Sequence, residues 1–179
     1  MLDEVQSGMA RTGTWFGFQH ADILPDVMTL AKALGNGVPI GACLARTSAA
    51  EVLTAGKHGS TFGGNPLACR AALTVLDVIR QQNLLARASE LGSRLLNEFR
   101  MALADNPHVV EIRGKGMMIG IELDRTCTEL TSRALADGLL INVTADRTIR
   151  LLPPLILSDD EAQQLIDGVV RLVDEFTAQ

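Results

Sequence analysis

The sequence predicts an α/β protein built from two parts, and three observations support this prediction. Residues 27–31 are apolar on both faces, as in a strand covered on both sides within an α/β sheet. From Asn65 onward, apolar residues recur at helical spacing. Ser158 and Glu161 form a capping box that indicates another helix near the C-terminus. With 179 residues, 47% of them hydrophobic, the chain can bury a sizeable core.

Three strands are predicted in the first part. One ends at Asp3, the second occupies residues 27–31 just before Lys32, and the third occupies residues 38–45. The first two are far enough apart in sequence to be joined by a crossover and can be parallel, whereas the short step to the third strand requires an antiparallel pair. Asp3 and Lys32 would then lie at the same carboxyl edge, where open α/β sheets bind ligands.

Two helices follow, and we place the domain boundary where they meet, so that residues 1–80 form one domain and residues 81–179 the other. The predicted apolar stripes are Leu67, Ala71, Val75 and Val78 in the first helix, and Leu84, Ala88, Leu91, Leu95 and Phe99 in the second. The remaining predicted elements are strands at 109–112, 119–123, 139–143 and 148–152, a short helix ending at Gly138, and the capped final helix. Strands covered by helices on one side make a small α+β domain.

Composition argues against several classes of function. The formal net charge is −5 and no Lys/Arg-rich run is present, so neither nucleic acid nor an anionic membrane is an expected partner. The scattered Cys43, Cys69 and Cys127 indicate neither a disulfide framework nor a zinc site, and the three dispersed histidines indicate no metal role. A cytoplasmic location fits best. Only two apolar residues precede the first charge, so we expect a fragment whose first strand is cut.

Lys32 and Asp3 are the residues from which a chemistry can be predicted. An amine and a carboxylate at neighbouring strand ends are what a protein needs to hold pyridoxal phosphate, because the aldehyde takes the amine as a Schiff base and the carboxylate keeps the ring nitrogen protonated. Taken alone, each residue also has an ordinary interpretation. A lone lysine at a strand end usually reaches into solvent, and an aspartate there often caps a turn.

Four segments carry a resemblance to a known family. They are residues 3–13 (Asp-Glu-Val-Gln-Ser-Gly-Met-Ala-Arg-Thr-Gly), 29–37 (Thr-Leu-Ala-Lys-Ala-Leu-Gly-Asn-Gly), 59–66 (Gly-Ser-Thr-Phe-Gly-Gly-Asn-Pro) and 150–154 (Arg-Leu-Leu-Pro-Pro). In this order they resemble the class III aminotransferases of the fold-type-I pyridoxal-phosphate group. The chain is similar to the C-terminal part of that family, most of all to the acetylornithine and succinylornithine aminotransferases.

The resemblance implies a role for each matching residue. Lys32 would bind the cofactor and move protons, Asp3 would bond the ring nitrogen, Val5 would press on the ring and Gln6 would reach the phenolic oxygen. Thr61 would reach the cofactor phosphate of a partner subunit in a homodimer. Arg150 would bind a carboxylate of the amino-acid and 2-oxo-acid substrates. The implied fold is part of a large-domain mixed sheet, with the interdomain helix, followed by a small α+β C-terminal domain.

Departures from the family leave a second hypothesis open. Ala10 replaces a usual glycine, and a positive φ there would strain alanine by about 1 kcal/mol. The family's main phosphate loop and a ring-stacking aromatic residue belong to an N-terminal portion that the chain does not match. The alternative is therefore a catalytically silent truncated domain or assembly module of the same family. A nucleotide-binding α/β domain has little support, because no glycine-rich fingerprint follows a strand.

Overall fold

The computed structural model describes residues 1–178 and separates into two compact units. The N-terminal unit runs from Met1 to Ala86, and the C-terminal unit begins at Arg87. The border between the units falls inside a long helix. The domain boundary expected between residues 80 and 81 lies close to the end of the preceding helix and stays a prediction.

A small mixed sheet organises the N-terminal unit. Its strands, in the order β1-β2-β3 across the sheet, are β1 (Leu2–Asp3), β2 (Val27–Leu30) and β3 (Ala42–Ala45). β1 runs parallel to β2, with Asp3 opposite Thr29, and β2 runs antiparallel to β3. Both strand directions expected from the sequence are confirmed. The third strand is shorter than predicted. Val38 closes the preceding turn, residues 39–41 have no regular structure, and only residues 42–45 pair with β2.

Helices α1 (Thr47–Ala50) and α2 (Pro66–Gln81) complete the N-terminal unit. The Asn65 side chain caps α2 by accepting a hydrogen bond from Ala68 N at 3.0 Å. The predicted helix is confirmed, but its predicted buried stripe is wrong. Leu67 is 75% exposed, and the buried residues are Ala68, Ala72 and Ile79. The stripe is displaced because α2 has apolar residues around most of its circumference.

The C-terminal unit is an antiparallel sheet with helices. Along the chain, its elements are α3 (Leu84–Ala102, which begins in the N-terminal unit), β4 (Val109–Lys115), β5 (Met118–Leu123), α4 (Leu130–Ala136), β6 (Asn142–Thr144), β7 (Thr148–Leu151) and α5 (Asp159–Thr177). The strand order is β4-β5-β7-β6. Ser158 and Glu161 form the predicted capping box at the start of α5. The strand predicted at residues 139–143 begins later, at Asn142, because Leu139 N is still hydrogen-bonded to Ala134 O of α4 at 2.8 Å and residues 139–141 have no regular structure.

One continuous hydrophobic core holds the C-terminal unit together. Its members come from α3, β5, α4, β7, α5 and adjoining turns, and the largest fully buried ones include Phe99, Leu91, Leu95, Ile119, Ile121, Leu123, Ile149, Val169 and Val173. The predicted stripe of α3 is buried throughout. At Gly92 the helix backbone lies so close to the β4–β5 turn that an added Cβ would be 2.2 Å from Gly116 O. Within residues 1–178, no helix is long and apolar enough to cross a membrane.

Candidate functional site

The parallel pair β1 and β2 brings the ends of two site segments to one edge of the sheet. Asp3 is the last residue of β1 and stands opposite Thr29, and β2 ends one residue later, at Leu30. The hydrogen bond from Glu4 N to Thr29 O, at 3.0 Å, extends this pairing past the end of β1. Asp3 and Lys32 therefore follow the carboxyl ends of adjacent parallel strands, the position at which open α/β sheets bind ligands.

Asp3 presents a carboxylate that is anchored on one oxygen only. Its Oδ1 accepts a hydrogen bond from Val5 N at 2.9 Å, and among residues 1–178 its Oδ2 has no hydrogen-bond partner. The side chain is exposed in this chain. An oriented carboxylate with a second oxygen available is a suitable acceptor for a protonated ring nitrogen.

Val5 and Gln6 follow in a turn, and both are half-buried. β1 ends at Asp3 and the chain turns from Val5 onward, so residues 3–6 do not form one extended segment. The predicted contacts of Val5 and Gln6 with a cofactor ring stay predictions. Directly after them, Met9 and Ala10 have φ angles of 57° and 71°. The positive φ considered for Ala10 is thus present, and so is the strain that alanine experiences there.

Lys32 stands in a strained turn. It opens a single 3₁₀ turn, Lys32–Leu34, with a φ of 42°. Its carbonyl accepts hydrogen bonds from Gly35 N and Asn36 N, both at 3.1 Å. Gly35 allows this geometry, since an added Cβ would lie 2.1 Å from Val38 O. The Lys32 residue is exposed, and its amine makes no hydrogen bond or ion pair with any residue in the described range, so it is available to react.

Thr61 lies in the exposed loop that leads into α2. Ser60 Oγ accepts a hydrogen bond from Gly63 N at 2.9 Å, which folds the loop tightly ahead of the Asn65 cap. Phe62 of this loop, together with Ile40 and Leu67 beside it, lines an apolar depression of about 620 Å³. The loop that carries Thr61 therefore leads directly into the capped first turn of α2. The contact of Thr61 with a phosphate stays a prediction.

Arg150 belongs to the C-terminal unit. It lies on β7 opposite Gly120 of β5 and Asn142 of β6, and its Nη2 donates to Asn142 Oδ1 at 2.9 Å. Asn142 thereby orients the guanidinium group. This role of Asn142 was not predicted from the sequence. The predicted binding of a substrate carboxylate by Arg150 stays a prediction.

A charged network occupies the same face of that sheet. Glu122, two residues from Gly120 along β5, accepts from Arg113 at 2.6 Å and pairs with Arg147 at 2.7 Å. The hydrogen bond from Arg113, aided by the charge of Arg147, lowers the pKa of Glu122. Glu122 is thus held as a carboxylate between two guanidinium groups. It pairs with Thr148, two residues from Arg150 along β7 and on the same face of the sheet.

The cysteines and histidines form no further site within residues 1–178. No group of three or more His, Cys, Asp or Glu side chains there could hold a metal ion. All three cysteines are free. Burial raises the pKa of Cys127 to about 11, so this thiol stays protonated and unreactive at neutral pH.

Comparison with known proteins identifies the class to which this architecture belongs. Over 99% of its length the chain superposes on an ornithine aminotransferase from Toxoplasma gondii with a TM-score of 0.92 and 34% identity, covering 43% of that protein. That structure is described as having partial occupancy of PLP at its active site. An acetylornithine aminotransferase from Elizabethkingia anophelis superposes with a TM-score of 0.88 and 35% identity, with 96% of this chain and 44% of that one covered. The fold is that of the fold-type-I aminotransferases.

The family itself follows from the sequence match. The class-III aminotransferase family model matches residues 1–173, and the chain belongs to this family. Acetylornithine aminotransferase 1 from Bordetella bronchiseptica is 58% identical over all 179 residues. The match covers 46% of that relative, so the chain spans less than half the length of the relatives it resembles. Class-III aminotransferases depend on pyridoxal phosphate, the cofactor that the sequence motifs predicted.

Proposed function

We propose that this chain is the cofactor-linking part of an aminotransferase that moves an amino group from N-acetylornithine or N-succinylornithine to 2-oxoglutarate. The observation that carries the proposal is the pairing of β1 with β2, which sets an anchored carboxylate and an amine with no partner among residues 1–178 at the carboxyl ends of adjacent strands. This donor set fits pyridoxal phosphate. The 58% identity to an acetylornithine aminotransferase supports the choice of amino donor.

Lys32 and Asp3 have different roles at this edge of the sheet. When bound, pyridoxal phosphate supplies an aldehyde for covalent attachment to an amine and a ring that withdraws electrons. Lys32 Nζ would be the attachment point and, once released by the substrate, would take the proton from the substrate α-carbon. Asp3 Oδ2 would accept a hydrogen bond from the protonated ring nitrogen, a charge-assisted contact of about 1.5–3 kcal/mol that keeps this nitrogen protonated. Val5 and Gln6 would contact the ring and its phenolic oxygen.

Arg150 and Thr61 supply anion recognition. The guanidinium of Arg150, oriented by Asn142, offers paired donors that match a substrate carboxylate. Thr61 offers a hydroxyl group, in a loop that opens a helix, to the cofactor phosphate of the partner subunit. The working enzyme is accordingly a homodimer, and we place it in the cytoplasm. Residues 1–80 then belong to the large cofactor-binding domain, and residues 81–179 form the small C-terminal domain.

Selective labelling tests the proposal, because the chain has only three lysines, Lys32, Lys57 and Lys115. The purified chain is mixed with pyridoxal phosphate, its visible absorbance is recorded, and borohydride is added to fix the adduct for peptide mapping. We expect one new absorbance band and one labelled residue, Lys32. The Lys32→Ala variant should lose both signals, whereas the matched variant Lys57→Ala, which alters an exposed lysine of the same unit, should retain them.

The silent-module alternative predicts a different labelling pattern. It is supported by the exposure of both Asp3 and Lys32 in this chain and by the coverage of less than half of the relatives. In that case the label should be spread over Lys57 and Lys115 as well, and Lys32→Ala should reduce it only by that residue's share. Such a result would reject the proposed function for this chain. We expect no transamination by the 179-residue chain alone under either hypothesis.

A further inference from the structure

Glu4 is a buried carboxylate between two of the proposed site residues. It lies between Asp3 and Val5, yet it is only 4% exposed, unlike the exposed Asp3. A buried charge is costly unless hydrogen bonds compensate for its lost hydration. Three donors do so here. Gly17 N donates to Oε2 at 2.9 Å, Phe18 N donates to Oε1 at 2.8 Å, and the Ser7 hydroxyl also donates to Oε2.

These bonds make residue 4 a junction of three chain segments. Its backbone N–H binds Thr29 O on β2, and its carboxylate binds the amide groups at the start of the 3₁₀ helix Gly17–Ala21. The surroundings are tightly packed, since an added Cβ on Gly8 would lie 2.8 Å from Glu4 O. The backbone at residue 4 therefore has little freedom to move.

The neighbouring carboxylate depends on that rigidity. Asp3 is oriented by the hydrogen bond from Val5 N to its Oδ1, and the two residues are joined through Glu4. If the backbone of residue 4 rotates, the donor at Val5 and the acceptor at Asp3 separate. A direct chemical role for Glu4 is excluded by its burial, because both of its oxygens already accept hydrogen bonds from the protein.

We propose that Glu4 is a positioning residue, which holds Asp3 in the orientation in which its carboxylate accepts a hydrogen bond from the protonated ring nitrogen of the cofactor. This inference rests on the proposed function. The inference predicts that loss of the Glu4 hydrogen bonds lowers cofactor affinity by displacing Asp3, in addition to any effect on folding. It also predicts a change at the Val5 amide that is observable without cofactor.

The first test compares Glu4→Gln with Ile79→Val. Glutamine keeps the shape of the side chain, but its NH₂ group is a donor and cannot accept the hydrogen bonds that the replaced carboxylate oxygen accepted. Ile79 is a buried residue of α2 and serves as a control for loss of stability in the same unit. By hydrogen exchange without cofactor, the Val5 amide should exchange about tenfold faster in Glu4→Gln than in Ile79→Val. An equal rate in the two variants would overturn the inference.

The second test uses the cofactor. Pyridoxal phosphate should bind Glu4→Gln about tenfold more weakly than Ile79→Val, while borohydride still labels Lys32. Adding Asp3→Asn to Glu4→Gln should cost little further affinity, because both changes disable the same contact. Independent, multiplying effects of the two substitutions would overturn the inference. If Glu4→Gln does not fold, Ser7→Ala removes one of the three donors and should shift both measurements in the same direction.

The two experiments separate the inference from the function on which it rests. A fast Val5 amide together with scattered labelling of the wild-type chain would reject the proposed function while leaving the link between Glu4 and Asp3 intact. A normal Val5 amide together with selective labelling of Lys32 would reject the inference and support the function.

Discussion

The two units of this chain are stabilised in different ways. The continuous hydrophobic core consists entirely of residues from the C-terminal unit. Backbone strain is concentrated instead in the N-terminal unit. Of the non-glycine residues with positive φ in the described range, only Ala145 and Asp146 lie in the C-terminal unit, whereas the N-terminal unit has Met9, Ala10, Asp22, Lys32, Asn36, Thr47 and Asn83.

This difference indicates where the chain specifies function and where it specifies stability. Strained residues persist only where their surroundings enforce them, and they cluster at functional sites. Met9, Ala10 and Lys32 are strained within or next to the segments that carry Asp3 and the proposed attachment point. The same unit also exposes large apolar residues, including Leu24, Leu44, Val52, Phe62 and Leu67. The C-terminal unit should therefore tolerate the least change in packing, and the N-terminal unit should respond most to changes in backbone conformation.

The largest effect is expected from a cavity in the C-terminal core. Leu95 is fully buried on α3, and Leu95→Ala should lower the free energy of unfolding by about 2–5 kcal/mol. Leu135, which is 62% exposed on α4, provides the matched control, and Leu135→Ala should change stability by less than about 0.5 kcal/mol. Denaturant titration measures both values. Similar losses in the two variants would mean that the C-terminal unit is not governed by its core.

The next effect is expected from overpacking at Gly92. Its Cα faces the β4–β5 turn, so Gly92→Ala should force the helix and the turn apart and destabilise the chain by about 1–3 kcal/mol. Gly120→Ala is the control, because an added Cβ there meets its nearest neighbour, Thr148 Cγ2, at 3.4 Å, an ordinary contact. Denaturant titration should show a loss only for Gly92→Ala. An unchanged midpoint for that variant would show that this contact can relax.

The N-terminal unit should respond in the opposite direction to a small change. Ala10→Gly relieves a positive φ and should stabilise the chain by about 1 kcal/mol or less, since glycine also loses more conformational entropy on folding. Ala86→Gly, in the exposed part of α3, should instead destabilise by about 1 kcal/mol. The thermal midpoints of the two variants should therefore move in opposite directions. If both variants lose stability, the positive φ at Ala10 does not destabilise the folded chain appreciably.

The success of sequence reasoning also differs between the units. The stripe of α3 was predicted residue by residue, because its large apolar residues, apart from the exposed Met101, lie toward one face of the helix. The stripe of α2 was misplaced, because apolar residues such as Leu67 and Ile79 lie around the helix and only the tertiary structure decides which are buried. The directions of β1, β2 and β3 could be predicted from connection lengths alone.

The site residues show the same limit. The position of Lys32 and Asp3 at one edge of the sheet could be predicted from the strand pattern, since parallel pairing aligns the ends of the strands. The burial of Glu4 could not be predicted, because its partners are backbone amide groups at residues 17 and 18, which no side-chain pattern reveals. The orientation of Arg150 by Asn142 requires the register of β6 against β7. Sequence spacing does not specify that register.

The smallest effect concerns a surface cluster that packing does not explain. The hydrogen bonds from Arg125 and His108 lower the pKa of Asp124 to about 2, below the value of about 3.9 for an unfolded chain. A carboxylate with a depressed pKa contributes stability above its unfolded pKa, and this contribution is lost as the pH falls through about 2. Asp124→Asn should therefore lower the thermal midpoint at neutral pH, and the difference from wild type should shrink between about pH 4 and pH 2. Because these side chains are exposed, 1 M salt should also reduce the difference. If the difference in thermal midpoint between wild type and Asp124→Asn stays constant with both pH and salt, the effect of the substitution comes from packing. The C-terminal unit would then depend on its core alone.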